Sequence, residues 1–246
     1  EKSNFFASFG YLNNNGITDG SNMYRYTARL RADYQAKKWL KIGGNFSYTH
    51  FDWHNGNDDE GASDGGNVFA TAVQTAPIYP IYIRDANRNH IYDKWGFPLF
   101  DTGDGSRLGT EGQRTTGGSS NELQDIQLNK YQSEGNAFSA NGFFDIRFYR
   151  DLKLTINGGV VLDETRSTQL LNPYYGQFAT SGGVVSKSHG RSLDYNLQQL
   201  LNYTHTFGTQ HNIDILLGHE MYAIKSYSLS GTKSKMFSYD NNELDG

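Results

Sequence analysis

The chain has 246 residues, a formal net charge of −4 and no cysteine. These values exclude a disulfide framework and a cysteine-based metal site, and they give no support for binding nucleic acid. No apolar run approaches the roughly 18–20 residues of a membrane-spanning helix, which excludes a helical membrane protein. The 17 tyrosines, 15 phenylalanines and 28 glycines favour strands and turns.

Apolar and polar residues alternate most clearly between Tyr24 and Tyr34. Even positions carry Tyr, Ala and Leu, whereas odd positions include Arg25, Arg29 and Arg31. Successive side chains of a strand point to opposite faces, so this segment has one apolar face and one charged face.

The same period of two predicts seven strands in chain order. They lie at about 3–12, 24–34, 40–49, 138–148, 152–163, 193–207 and 213–229. Short connections follow the second, fourth and sixth strands, and long loops are predicted at about 52–134 and 167–190. Within the first loop we expect a helix over 67–75 and a small hairpin over 78–93.

This pattern predicts an all-β fold, an antiparallel up-and-down transmembrane β-barrel. The short turns would face the periplasm and the long loops the cell exterior. Single-chain bacterial barrels have an even number of strands, and an unpaired edge in lipid is costly. Seven strands and loop-like ends therefore predict a fragment of a longer polypeptide.

Several segments resemble the SusC/RagA family of TonB-dependent outer-membrane transporters of Bacteroidota. The similar segments occur in family order at 4–12, 16–17, 26–30, 39–45, 172–176, 207–208, 211–213, 216–220, 229–231 and 236–238. The resemblance covers most of the chain, and the loop at 52–134 matches only loosely.

The resemblance implies a 22-stranded outer-membrane barrel closed by an N-terminal plug. Such a transporter imports glycans or peptides with energy from TonB, ExbB and ExbD, and a SusD-like lipoprotein covers its outer mouth. It implies no cofactor. Neither the plug nor the TonB-contacting segment is present in this sequence. The open alternatives are a passive porin-like channel or adhesin, and a soluble carbohydrate-binding β-domain.

Charged residues on the predicted inner face are candidates for contact with the lumen or the plug. They are Arg25, Arg29, Arg31, Asp33, Asp145 and Arg147. We expect a solvated ladder of ion pairs that packs against the plug, and direct contact with substrate is the alternative.

Aromatic and acidic residues of the long loop are candidates for binding substrate, because loops on a rigid scaffold collect binding groups. The candidates are Trp53, Tyr79, Tyr82, Asp85, Tyr92, Asp93 and Trp95, with Asp58, Asp59 and Asp101 nearby. Alternatively, these aromatics form a small core of the loop or contact the lid protein.

Two motifs partly match a calcium-binding loop and a zinc-protease site, but each lacks required residues. Asp85, Asn87, Asn89 and Asp93 have the spacing of a calcium loop, but the glycine and glutamate that an EF-hand requires are missing, so we expect a hairpin turn. His219 and Glu220 lack a second histidine four residues on, which argues against a zinc protease. We therefore expect no enzyme activity.

Overall fold

The computed structural model describes residues 2–55, 68–103, 105, 114, 121–175, 178–208 and 211–245. Seven strands, here called β1 to β7, make up most of these residues. They are Ser3–Asn15, Asn22–Lys37, Leu40–His54, Lys130–Arg147, Leu152–Leu171, Val184–Phe207 and His211–Ser234.

The strands form one open sheet in the order β1 to β7, and every neighbouring pair is antiparallel. The predicted all-β, up-and-down fold is therefore confirmed. Each strand pairs with the strand that follows it in sequence, so no connection crosses the sheet.

The register places most apolar residues of the central part of the sheet opposite other apolar residues. Leu30 pairs with Phe46, for example, and Phe46 pairs with Ala140. Directly opposed side chains lie on the same face, so the central part of the sheet has one mainly apolar face and one mainly polar face. On β7 the second face is mixed, since Leu216, Tyr222 and Ile224 share it with Asp214 and Glu220. A slip of one residue in any pair would mix the two faces.

The register also determines how the strands lean. One line of directly paired residues crosses six strands at Tyr34, Ile42, Phe144, Ile156, Gln199 and His219. The line lies three residues before the end of β2 and eight residues after the start of β7, and both of these ends are at the short turns. The strand ends are therefore staggered by about five residues over five strand spacings. At about 3.4 Å per residue and about 4.8 Å per strand, that stagger is a tilt of about 35°, as in membrane barrels.

The predicted strands are too short at their loop ends. The second loop is confined to residues 172–183 between β5 and β6, so its predicted limits of 167 and 190 are wrong. The long loop likewise runs from residue 55 to 129, and Trp53 belongs to β3. Both faces are polar near these ends, as at Ser186, Lys187 and Ser188, so alternation is lost while backbone pairing continues.

These strands are longer than a bilayer requires. At 24 residues each, β6 and β7 extend for about 80 Å, whereas about 9–11 tilted residues cross the hydrocarbon core. The sheet therefore continues well beyond an apolar band of membrane thickness.

The long connection between β3 and β4 contains two short helices, α1 (Val68–Gln74) and α2 (Glu122–Leu128). The helix predicted over 67–75 is thus confirmed between Val68 and Gln74, and Asn67 lies outside the described residues. Helix α2 was not predicted. Its N-cap Asn121 accepts a hydrogen bond from the Gln124 backbone, which satisfies one free N–H of the first turn. None of the helices in the described ranges is long and apolar enough to span a membrane.

A lysine at position 201 should be much more destabilising than a lysine at position 202. Leu201 lies on the apolar face, whereas Asn202 lies on the polar face and donates to Asp214 at 2.8 Å. We expect Leu201→Lys to lower the free energy of unfolding of the full-length protein in lipid vesicles by about 2–4 kcal/mol, with little change for Asn202→Lys. Equal losses would contradict the assignment of the faces.

Candidate functional site

Residues 81–101 of the long loop form a compact unit with an eight-residue repeat, here called the turn module. Ile83, Ile91 and Leu99 occupy equivalent positions, and each is followed two residues later by an aspartate. Their backbones form a closed triangle: Ile83 N–H donates to Leu99, Leu99 N–H to Ile91, and Ile91 N–H to Ile83. This arrangement replaces the simple hairpin predicted over 78–93.

The aspartates of the repeat shape its turns. Asp85 Oδ1 accepts backbone hydrogen bonds from Asn87 and Asn89 at 2.9 and 2.8 Å. Asp93 Oδ1 accepts from Trp95 and Phe97 at 2.9 and 2.8 Å. These are Asx-type turns, in which a short acidic side chain satisfies nearby N–H groups.

Backbone conformation repeats in the same way. Arg88 and Gly96, three residues after each aspartate, both have positive φ, at 68° and 85°. Arg88 thus occupies a position that favours glycine. The repeat geometry supports the turn interpretation of Asp85, Asn87, Asn89 and Asp93. The hydrogen bond from the Asn89 backbone holds the pKa of Asp85 below its usual range.

Two of the candidate aromatics, Tyr79 and Tyr82, pack against other residues of the long loop. The Tyr82 ring lies 4.9 Å from His90 and 5.3 Å from Phe100. Tyr79 lies under the guanidinium of Arg114, at 5.0 Å. Tyr92 is 63% exposed. These contacts support the core interpretation for Tyr82 and leave Tyr92 as a surface group.

Trp95 joins the turn module to the second loop. Its ring lies 4.8 Å from Tyr174 and 6.4 Å from Tyr175, and it is still 48% exposed. Tyr175 is buried against Phe100, and its hydroxyl donates to Asp93 Oδ2. The two loops therefore form one small core above the sheet.

A pair of asparagines fastens α2 to the second loop. Asn129 Oδ1 accepts from the backbone and the side-chain amide of Asn172, at 2.9 and 2.8 Å. Asn172 Oδ1 in turn accepts from the backbones of Tyr174 and Tyr175. Both loops are thus positioned by hydrogen bonds as well as by aromatic packing.

A buried ion pair closes the turn module. Arg114 Nη2 lies 3.1 Å from Asp101 Oδ1, and both side chains are at most 1% exposed. Asn121 donates to the Asp101 carbonyl at 2.9 Å, which connects the pair to the start of α2. Removing either partner would leave a buried charge without its counterion, which is strongly destabilising.

Asp125 of α2 is an unusual acid. Its pKa is raised to about 7, chiefly by burial and to a smaller extent by the nearby charge of Glu122, while a hydrogen bond from Asn129 opposes the shift. Its Oδ2 atom is buried without a partner. In the folded loop the protonated form is therefore the major one below about pH 7.

The charged candidates of the sheet share the polar face but form few ion pairs. Arg31 lies 3.6 Å from Asp33, and Asp145 accepts a hydrogen bond from Thr155 at 2.7 Å. Among the six charged candidates, Arg31 and Asp33 are the ones the structure brings together. Arg25, Arg29 and Arg147 are separated along the sheet, because each is fixed by its own strand position.

Trp53, predicted to lie in the long loop, belongs to strand β3. It lies on the polar face of β3, directly opposite Ser133 of β4, and is 43% exposed. It lines a shallow groove of about 310 Å³ with Gln169, Ser188 and Ser230. The sequence did not predict this groove, although alternating serines in β6 and β7 were a visible signal.

The described ranges contain neither a metal-binding cluster nor a catalytic arrangement of side chains. Within them, no group of three or more His, Cys, Asp or Glu side chains could hold a metal ion. His219 lies on the apolar face opposite Gln199, with its Nδ1 2.6 Å from Gln199 Oε1. Asp58 and Asp59 lie outside the described residues.

Comparison with known proteins shows similarity to one curated protein. The TonB-dependent receptor P26 of Formosa agariphila is 24% identical over 226 residues, 89% of this chain and 19% of the relative. The chain thus spans about a fifth of that protein's length. No protein-family model matches the chain.

Solved structures of the RagAB peptide transporter share the fold. One is 19% identical with a TM-score of 0.74 over the whole chain, which covers 25% of the solved chain. The RagAB peptide importer in the open-open state is 20% identical with a TM-score of 0.74, and the match covers 99% of this chain and 25% of the solved chain. The closed-closed state of the importer is 18% identical with a TM-score of 0.69, and the match again covers 25% of the solved chain. These comparisons confirm the resemblance inferred from the sequence.

The aspartate turns should be independent of calcium. Because the oxygens of Asp93 are used by N–H and O–H donors, a chelator such as EGTA should leave hydrogen exchange of the turn module unchanged. Asp93→Ala should instead destabilise its turn by about 1–3 kcal/mol, seen as faster exchange at Trp95 and Phe97. Asp85→Ala is the matched control, since it opens a similar turn without releasing Tyr175. Faster exchange on chelation would restore the calcium interpretation.

Docking of α2 should weaken as pH rises from about 4 to about 7. The folded pKa of Asp125, about 7, lies above the unfolded value of 3.8, so the folded state binds the extra proton and is favoured at lower pH. Hydrogen exchange of α2 amides, corrected for intrinsic rates, measures this change. Asp125→Asn should abolish it, and persistence of the change in that variant would assign it to another group.

Proposed function

We propose that this chain forms part of the wall and the extracellular mouth of an outer-membrane, TonB-dependent nutrient importer. The observation that carries the proposal is the register, which keeps one face apolar for lipid and the other polar for a lumen across seven tilted strands. The similarity to a TonB-dependent receptor and to RagAB structures supports it.

Import would begin at the loop end of the sheet. The turn module and the second loop share one core there, and Tyr92 and Trp95 present exposed rings. We place glycan or peptide substrate between this surface and a SusD-like lipoprotein lid. The candidates Tyr79, Tyr82, Asp85 and Asp93 would support this surface from within, since their side chains hold the loop together.

Passage would then follow the polar face. Arg25, Arg29 and Arg31 would contact a plug or its water-filled surroundings, because charges are costly on a lipid face. Energy from TonB, ExbB and ExbD would move the plug and open the lumen. These steps belong to the longer transporter of which this chain would be a part.

Energy dependence separates import from passive passage. In a strain that expresses the full-length protein, we expect accumulation of its substrate to fall to background when TonB is deleted, with the barrel still assembled in the outer membrane. Unchanged accumulation without TonB would contradict the proposal and favour a porin-like channel. Recovery of the protein in the soluble fraction would favour the carbohydrate-binding domain.

A further inference from the structure

The upper part of the polar face carries rows of hydroxyl groups that run across the strands. Directly paired residues make one such row, here called the serine row: Ser133, Ser167, Ser188 and Ser230. A second row lies beside it, towards the loops: Tyr131, Gln169, Ser186 and Thr232. Four neighbouring strands thus present uncharged hydrogen-bonding groups on one surface.

These hydroxyls have capacity left for a ligand. Ser133 Oγ and Ser167 Oγ lie 2.8 Å apart, and Ser186 Oγ and Thr232 Oγ1 lie 3.0 Å apart. Each hydroxyl has one donor and two acceptor lone pairs, so one mutual bond uses only part of that capacity. Ser188 and Ser230 are exposed.

An aromatic ring stands at one end of the serine row. Trp53 pairs directly with Ser133, and its neighbour on the same face, Phe51, lies over Gly135. Phe51 fills the space that a glycine leaves, whereas Trp53 is 43% exposed above it. A flat apolar ring next to a plane of hydroxyls matches the two kinds of surface that a sugar ring presents.

The absence of charge restricts the ligand. Neither row contains a side chain that is charged at neutral pH, and the row below the serine row on β4 to β7 consists of Gly135, Thr165, Gly190 and Ser228. Lys187 also lines the groove, but its ammonium group is paired with Glu243. On these strands the polar face next carries a charge at Asp163. A sulfate or carboxylate held against the β4 to β7 part of this surface would lose hydration without gaining a counterion, since Arg25, opposite Phe51, belongs to β2.

Geometry favours a sugar chain over an extended peptide. The strands that carry successive positions of a row are about 4.8 Å apart, comparable with the length of one hexose unit, whereas an extended peptide repeats on one side about every 6.8 Å. Peptides commonly bind sheets by adding a strand to a free edge. The backbone groups of β4, β5 and β6 are already paired on both sides.

We propose that Trp53 and the serine row form a binding track for a neutral, hydroxyl-rich oligosaccharide at the entrance of the lumen. The inference rests on the proposed import function and specifies its substrate class. Trp53 stacks on a sugar ring, and the hydroxyls of Ser167 and Ser188 hydrogen-bond to successive sugar units.

Binding to the full-length transporter tests this track. The probes are cellohexaose, maltohexaose and mannohexaose as neutral sugars, with hexagalacturonic acid and a pool of hexapeptides for comparison, all measured by calorimetry. We expect at least one neutral hexasaccharide to bind. The double substitution Ser167→Ala and Ser188→Ala should weaken that binding about tenfold, because two hydrogen bonds are lost.

Matched variants separate binding from folding. Ser139→Ala removes a hydroxyl from the same face of β4 outside the track, and it should bind like the parent protein. Trp53→Ala should weaken binding about tenfold, and Trp53→Phe should restore most of it if stacking is the cause. Heat-dependent gel migration verifies that each variant has assembled its barrel.

Each result supports or overturns the track. If no neutral sugar binds, or if the double substitution leaves its affinity unchanged, the inference is wrong. TonB-dependent uptake of peptides or acidic sugars by the same protein would show that import stands while the neutral track fails. Loss of TonB-dependent uptake for every nutrient would instead refute the import function itself.

Discussion

Backbone pairing in register is the constraint on which the whole structure depends. Each strand must satisfy its N–H and C=O groups with its neighbours, since lipid offers no alternative partner. The same pairing holds apolar side chains opposite each other, as at Leu30, Phe46 and Ala140. Because side chains alternate with a strict period of two, one choice of register determines both faces at once. The polar face is then free to vary in chemistry without disturbing the apolar one.

That freedom explains how chemistry is distributed on the polar face. Charged groups such as Arg31 and Asp33 lie nearer the short turns, and uncharged hydroxyls lie near the loop ends of β4 to β7. Above the sheet, the loops must bury their own core, and they do so with the Ile83, Ile91 and Leu99 triangle and the aromatic contacts to Tyr175. The acidic side chains of these loops mainly shape turns, which makes them structural supports for an exposed surface.

The sequence was sufficient for the fold and insufficient for the site. Alternation identified all seven strands and their faces, because membrane-facing segments must be apolar on one side. It failed near the loop ends, where both faces are polar, and so Trp53 was expected in a loop. The serine row was missed because its members come from four strands, and only the register shows that they are neighbours. Asp85 and Asp93 suggested ligand binding, since sequence does not reveal that their oxygens accept backbone hydrogen bonds.

The orientation of the two faces is the central claim, and spin labels on single cysteines measure it directly. These 246 residues contain no cysteine of their own. Single cysteines placed at successive positions from 195 to 202 of β6 in the full-length protein would carry a nitroxide label in lipid vesicles. Collision with oxygen reports contact with lipid, and collision with a water-soluble nickel complex reports contact with the lumen. We expect a period of two, with oxygen access highest at odd positions and nickel access highest at even positions. An opposite phase, or no periodicity, would contradict the account.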